Sequence, residues 1–345
     1  MDEEARTLTV SDNGVGMDAD SIAEDLGTIA RSGTKAFLEK LKETEAAERP
    51  ELIGQFGVGF YSAFMVADEV VVRSRRAGSS SAVRWSSRGE GVYTLEETAK
   101  EDVGTEIVLH LREDADEFLQ PHRLRALVKK YSDFIEHPIV LAREVEEDGE
   151  TRVEDEVLNS RKALWLRSAD EVSAEDYAAF YQQIARDVEE PLRTIHFHAE
   201  GTLEYRALLF LPATPPWEQI FGEARSGLQL YIQRVFIMDH CEDLLPEYLR
   251  FVRGVVDSSD LPLNVSREML QENALVRRIR KSLTTKVLKS LAEWKKEDRP
   301  AYETFFSRLG PVLKEGVTRD LENKERLADL LLFQSTRTGK DEWTT

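Results

Sequence analysis

Gly54-Gln55-Phe56-Gly57-Val58-Gly59 runs directly into Phe60-Tyr61-Ser62-Ala63-Phe64-Met65-Val66. Three glycines at this spacing let successive backbone N–H groups face one side as a concave anion site. The apolar run behind them reads as a buried helix, whose N-terminus adds partial positive charge at the same place. The stretch is not a Walker loop, because no Gly-Lys-Ser/Thr follows. It is not the dinucleotide fingerprint either, because no βαβ pattern surrounds it. Taken alone, it also reads as a flexible hinge.

Two further segments complement it. Asp12-Asn13-Gly14-Val15-Gly16-Met17 follows an alternating stretch, 7–11, that reads as a strand. Asp12 is an acceptor able to take the exocyclic amine of adenine, and Gly14 and Gly16 allow close approach of a flat base. Asp-Asn-Gly is equally an ordinary turn. Gly104-Thr105 enters another strand, where a threonine is explained by β-propensity or by a hydroxyl backing Asp12 through water.

Outward from these loops, strands are expected at 69–74, 82–86, 91–95 and 105–111, with helical material at 18–41. This is a helix-plus-antiparallel sandwich, α/β in the α+β sense, and not a doubly wound sheet. Residues 143–157 are acidic and poor in apolar side chains, and read as a linker. A second domain follows, with strands expected at 203–211 and 228–238. Its helices are expected at 174–186, 248–252 and 274–295, and the pattern is mostly helical from 301 onward.

The 345 residues carry a formal net charge of -19, 41% hydrophobic and 32% charged residues. Such a surface repels nucleic acid and anionic membrane, so neither is an expected partner, while a phosphate site made by local geometry stays open. No apolar run approaches the length of a membrane span. The single cysteine, Cys241, forbids an internal disulfide and fits a reducing cytoplasm. His196 and His198 alternate on a strand without an evident third ligand, so no metal site is expected there. His240-Cys241-Glu242-Asp243 reads as a loop. Trp165 and Phe236 are candidates for exposed client contacts, with core positions as the alternative.

The order of the three loops is that of the ATPase fold shared by gyrase, MutL, histidine kinases and the ninety-kilodalton heat-shock chaperones. Leu26-Gly27-Thr28-Ile29-Ala30-Arg31-Ser32-Gly33-Thr34-Lys35 and Ile53 to Ser62 closely resemble the lid and phosphate loop of the last of these. Asp260-Leu261-Pro262-Leu263-Asn264-Val265-Ser266-Arg267-Glu268-Met269-Leu270-Gln271 resembles its middle domain. The chain thus resembles the heat-shock protein 90 chaperone family, in its bacterial form, over nearly its whole length. A histidine kinase would need a phosphoacceptor histidine upstream, and none precedes His110. The Lys-bearing second domain of gyrase and MutL is not apparent.

The resemblance implies a partial Bergerat-type ATPase sandwich over 1–142, lacking its first strand and helix, with its lid near 26–60. A linker at 143–157 and an αβα middle domain with a helical segment over 158–345 follow. It implies ATP and Mg2+ as ligands. Asp12 and Thr105 would hold adenine, with Met17 against the base and Gly16 along the pocket. Asp25, Leu26, Arg31, Ser32 and Gly33 would line the pocket and lid, and Gly54, Gln55, Phe56, Gly57, Val58, Gly59 and Phe60 would wrap the phosphates. Asp25 stands where many relatives have Asn, and Arg31 where Lys is frequent. Arg267 would reach the γ-phosphate and Gln271 would support it. The partners implied are unfolded client proteins, co-chaperones and a second copy in a homodimer.

The family's general-base Glu and its magnesium-binding Asn lie on a helix before the Asp12 motif, and only eleven residues precede Asp12 here. The chain is therefore expected to be truncated at both ends, without its first strand, first helix and dimerisation domain. It is expected to be inactive alone as an ATPase. The alternative is a non-enzymatic client or co-chaperone binding module with a vestigial nucleotide site.

Overall fold

The computed structural model describes residues 1–27, 59–147, 150–201, 203–215, 227–261, 273–337, 339 and 342–344. They form two compact units, one of Met1–Tyr131 with Ile139–Leu158, the other of Ser132–Pro138 with Asn159–Thr345.

The first unit is built on a five-stranded antiparallel sheet. Its strands are β1 (Thr7–Asp12), β2 (Ala67–Arg75), β3 (Ala82–Ser87), β4 (Tyr93–Thr98) and β5 (Gly104–Leu111), in the order β1-β5-β2-β3-β4. Cross-strand partners point to the same face of a sheet, so the register reads out as rungs. Val10, Ile107, Val72, Trp85 and Leu95 form one rung, and Leu8, Leu109, Val70, Ser87 and Tyr93 the next but one. Val70, Val72, Val83 and Trp85 on this face pack with Ile22 of helix α1 (Ala19–Asp25), and Met17, Leu26, Phe60 and Phe64 lie against them.

The buried helix expected after the glycine cluster is a 3-10 helix, Gly59–Met65, with no fully buried residue. Phe60, Ala63 and Phe64 meet the sheet while Met65 is 75% exposed, so the apolar run is only half inserted. Phe60 meets Trp85 edge-on at 5.6 Å between ring centroids.

Helix α2 (Pro121–Tyr131) is followed by a hairpin of β6 (Val140–Glu147) and β7 (Glu150–Val157). The acidic stretch read as a linker thus takes regular form. Arg125 of α2 grips Glu156 of β7 through both carboxylate oxygens, at 2.6 to 3.1 Å.

The second unit holds a mixed sheet in the order β11-β10-β12-β9-β8. These strands are β8 (Arg193–Ala199), β9 (Tyr205–Leu211), β10 (Gly227–Ile232), β11 (Val235–Met238) and β12 (Arg253–Ser258). The single strand expected over 228–238 is split by a turn with Gln233 and Arg234 at positive φ. β12, which runs parallel to β10 and antiparallel to β9, was not apparent from sequence.

Helices α4 (Ala274–Glu297), α5 (Arg299–Arg319) and α6 (Lys324–Leu330) share a core with one face of this sheet. Helix α3 (Ala174–Ala185) and the 3-10 turn Leu164–Leu166 share a core with the other. Tyr205, Ala207, Leu209 and Leu211 of β9 enter the first core, and Leu208 and Phe210 the second. A strand buried on both faces favours a near-continuous apolar run, here Ala207 to Leu211, which is why alternation is lost there. Residues 248–252, expected as a helix, form only the 3-10 turn Glu247–Leu249 before the chain enters β12.

Candidate nucleotide site

Asp12 closes β1, with Thr105 directly opposite on β5 and Ser74 opposite Thr105 on β2. These three form one polar rung at the end of a largely apolar face. Asp12 is exposed, whereas Thr105 is 6% and Ser74 0% exposed. The Ser74 and Thr105 hydroxyl oxygens are 3.0 Å apart, and Ser74 Oγ lies 3.3 Å from the Gly104 carbonyl.

The chain leaving β1 folds back over this rung. The Gly14 N–H donates to Asp12 Oδ1 at 2.9 Å, and the Met17 N–H donates to Ser74 Oγ at 2.8 Å. The Ala77 N–H donates to the Val15 carbonyl at 2.8 Å. Gly16 sits at φ +65, where a Cβ would lie 2.0 Å from the Arg75 carbonyl oxygen. Gly104, at φ +119, would put a Cβ 2.1 Å from the Asp12 carbonyl oxygen. Both glycines are therefore required by contact as well as by conformation.

Asp18 caps helix α1. Hydrogen bonds from Ser21, side chain and backbone, and then from Arg76 lower its carboxyl to about 2. Arg76 pairs with Asp18, tying the loop to the turn after β2. Asp25 ends α1 and Leu26 is its C-cap. The Tyr61 hydroxyl donates to the Leu26 carbonyl at 3.1 Å, and burial raises its pKa. Met17, Leu26 and Phe60 thereby share one apolar wall beside the polar rung.

The structure brings Asp12, Gly16, Met17 and Thr105 together, and joins Leu26 and Phe60 to them through the shared core. Asp25 ends the adjoining helix, and Gly59 opens the 3-10 turn. Arg31, Ser32, Gly33, Gly54, Gln55, Phe56, Gly57, Val58, Arg267 and Gln271 lie outside the described residues. Ser74 was missed. Its signal was present: in Val70-Val71-Val72-Arg73-Ser74 the core-facing positions are Val, Val and then Ser.

Other candidates resolve differently. Trp165, considered for exposed contacts, is 1% exposed, and its Nε1–H donates to Asp257 at 2.8 Å. The indole found a polar partner inside the core, which removes the cost of burying its N–H. Phe236 is half-buried beside Tyr231. His196 bridges the Tyr177 hydroxyl at 2.7 Å and the Trp165 carbonyl at 3.3 Å, and burial lowers its pKa. His198 lies between Glu200 and Glu204. Cys241 is buried beside β10. Among the described residues, no group of three or more His, Cys, Asp or Glu is arranged to hold a metal, and no helix is long and apolar enough to cross a membrane.

The arrangement sets a carboxylate and two hydroxyls at one end of an apolar sheet face, below a backbone turn that requires glycine at position 16. Comparisons with known proteins place both units. Residues 1–106 match the family described as histidine kinase-, DNA gyrase B- and HSP90-like ATPase, and residues 143–345 match the Hsp90 protein family. The chain is 53% identical over 352 residues to the chaperone protein HtpG of Geobacter sulfurreducens, covering 98% of this chain and 54% of that one. It is 51% identical over 345 residues to HtpG of Escherichia coli K12, covering 99% and 55%. For HtpG of Cronobacter sakazakii the figures are 52% over 339 residues, 98% and 54%. The chain thus spans about half the length of these curated relatives.

Proposed function

We propose that this chain, which belongs to the Hsp90 family, is the ATP-binding and middle portion of an ATP-dependent chaperone of the HtpG type. The observation that carries the reading is the polar rung Asp12–Thr105–Ser74 under the Gly16 turn, inside the segment matching the ATPase family. Asp12 keeps acceptor capacity beyond its bond to Gly14 N–H, and accepts the adenine amine. Met17 packs against the base, and Thr105 takes part through water.

Leu26, Asp25, Arg31, Ser32 and Gly33 border the nucleotide. Gly54, Gln55, Phe56, Gly57, Val58, Gly59 and Phe60 wrap its phosphates, whose charge Mg2+ would offset when bound. Arg267, a fixed-charge fork, stabilises the γ-phosphate, and Gln271 supports it. In this reading 1–142 is the ATPase domain, 143–157 joins it to the next, and 158–345 is the middle domain. Water attacks the γ-phosphorus and ADP leaves, and the nucleotide state drives closure of a cytoplasmic homodimer on unfolded clients and co-chaperones.

Phosphoryl transfer to water needs the water, the cation and the charge-stabilising groups held together.

The site itself is tested by following backbone amide resonances as ADP is titrated into the millimolar range. Shifts are expected at Gly16, Met17 and Thr105. Asp12→Asn, which retains an oxygen for Gly14, weakens binding about ten- to a hundredfold, as for a lost hydrogen bond to a charged group. ADP shifts unaffected by that variant would remove the adenine assignment.

A further inference from the structure

We infer that Ser74 is a positioning residue that determines what Thr105 offers to a ligand, and thereby the base selectivity of the site; this rests on the adenine reading above. The argument is a count of hydrogens. The Ser74 hydroxyl has one hydrogen and two lone pairs, and the residue is 0% exposed. The Met17 N–H, 2.8 Å away, can only donate, so it occupies one lone pair. The Gly104 carbonyl, 3.3 Å away, can only accept, so it takes the Ser74 hydrogen. Thr105 Oγ1, at 3.0 Å, must then donate to the remaining lone pair.

Only this arrangement satisfies all three contacts. The reverse, with Ser74 donating to Thr105, gives up the Gly104 contact. Buried hydroxyls keep the pattern that satisfies their partners. The Thr105 hydrogen is therefore turned toward Ser74, and lone pairs alone face the Asp12 side. Asp12, when ionised, is likewise an acceptor only. The rung then presents acceptors and no hydroxyl donor. A base with an exocyclic amine meets this edge with hydrogens, directly or through a bridging water. A base with a carbonyl at the same place meets a carboxylate and lone pairs, and is rejected. Without Ser74, the Thr105 hydroxyl rotates freely and can donate, so the discrimination weakens. The same serine holds the Met17 amide and hence the turn carrying Gly16.

The test compares the full 345-residue chain with Ser74→Ala and Ser74→Thr by amide NMR, in three readouts: Met17 amide exchange, ADP affinity and GDP affinity. Ser74→Ala is expected to speed Met17 exchange and weaken ADP about five- to tenfold. It also narrows the preference for ADP over GDP. Ser74→Thr, which keeps the oxygen, restores all three. Equal weakening of ADP and GDP would mark a merely structural role and overturn the inference, as would unchanged Met17 exchange. Absence of ADP shifts in the unsubstituted chain would instead overturn the adenine reading, and the selectivity claim with it. If Ser74→Ala does not fold, Ser74→Cys, of similar size and a weak donor, provides the same comparison.

Discussion

The two sheets of this molecule are put to opposite uses. In the second unit every residue of β12 is buried, and β9 sends side chains into a core on each face. In the first unit the row of Val, Ile and Leu ends in Asp12, Thr105 and Ser74, and the edge strand β4 is exposed except for its last residue. One sheet is enclosed and carries packing. The other gives up apolar contact at one end, where glycines and hydroxyls stand in its place. Stability and binding should therefore respond to different substitutions in the two units.

The largest effect should come from truncation in the enclosed sheet. Leu209→Ala removes a fully buried side chain and should cost about 2–5 kcal/mol. Urea unfolding followed by amide exchange in β9 measures it, and a loss below about 2 kcal/mol, the lower limit for such a cavity, would break the comparison. In the open sheet the sensitive element is the backbone. Gly16→Ala forces a Cβ against the Arg75 carbonyl and should cost about 1–3 kcal/mol, with nucleotide shifts lost as well. Retained ADP binding with faster exchange would separate the two consequences.

Asp18→Ala removes the cap of α1 and should cost about 1 kcal/mol. Because the folded carboxyl is lowered to about 2, its contribution is full above the ordinary carboxylate range. It is lost as pH falls toward about 2, so acid titration of the Ser21 amide shift should report a midpoint there.

A gentler slope belongs to the second unit. Burial lowers the pKa of His196, so the unfolded chain takes up the proton more readily. Stability is complete above the ordinary histidine value of about 6.5 and declines as pH falls below it. Denaturation midpoints of the unsubstituted chain should fall between neutral and mildly acidic pH, and His196→Gln should flatten the change. Smallest of all, Val10→Ser at a 55% exposed position should stay within about 0.5 kcal/mol. A larger loss would mean that this end of the open sheet is packed after all.

What sequence reveals follows the same division. The closeness of Asp12, Gly16 and Met17 was legible because they stand within six residues of one another around a turn that demands glycine. Ser74 was passed over: the Val70, Val72, Ser74 alternation marks a polar side chain on the core face, but its partners Thr105 and Met17 are set by register and by the turn after β1, which no local spacing encodes. β12 was hidden because Arg253, Gly254, Asp257 and Ser258 look polar or permissive, although all are buried. Trp165 looked available because an indole gives no local sign of its depth, and its partner Asp257 is 92 positions away. The half-inserted 3-10 turn at Gly59–Met65 shows that an apolar run gives neither helix type nor depth.

The double burial of β9 has an evolutionary consequence. A strand with one wet face can change there without disturbing the other, and half its positions tolerate drift. β9 has no such face. A change at Leu208 or Phe210 meets one core, and a change at Ala207 or Leu209 meets the other. Substitutions in β9 should therefore become fixed mainly in compensated pairs with helix residues above or below it. β4, exposed along nearly its whole length, should diverge one residue at a time.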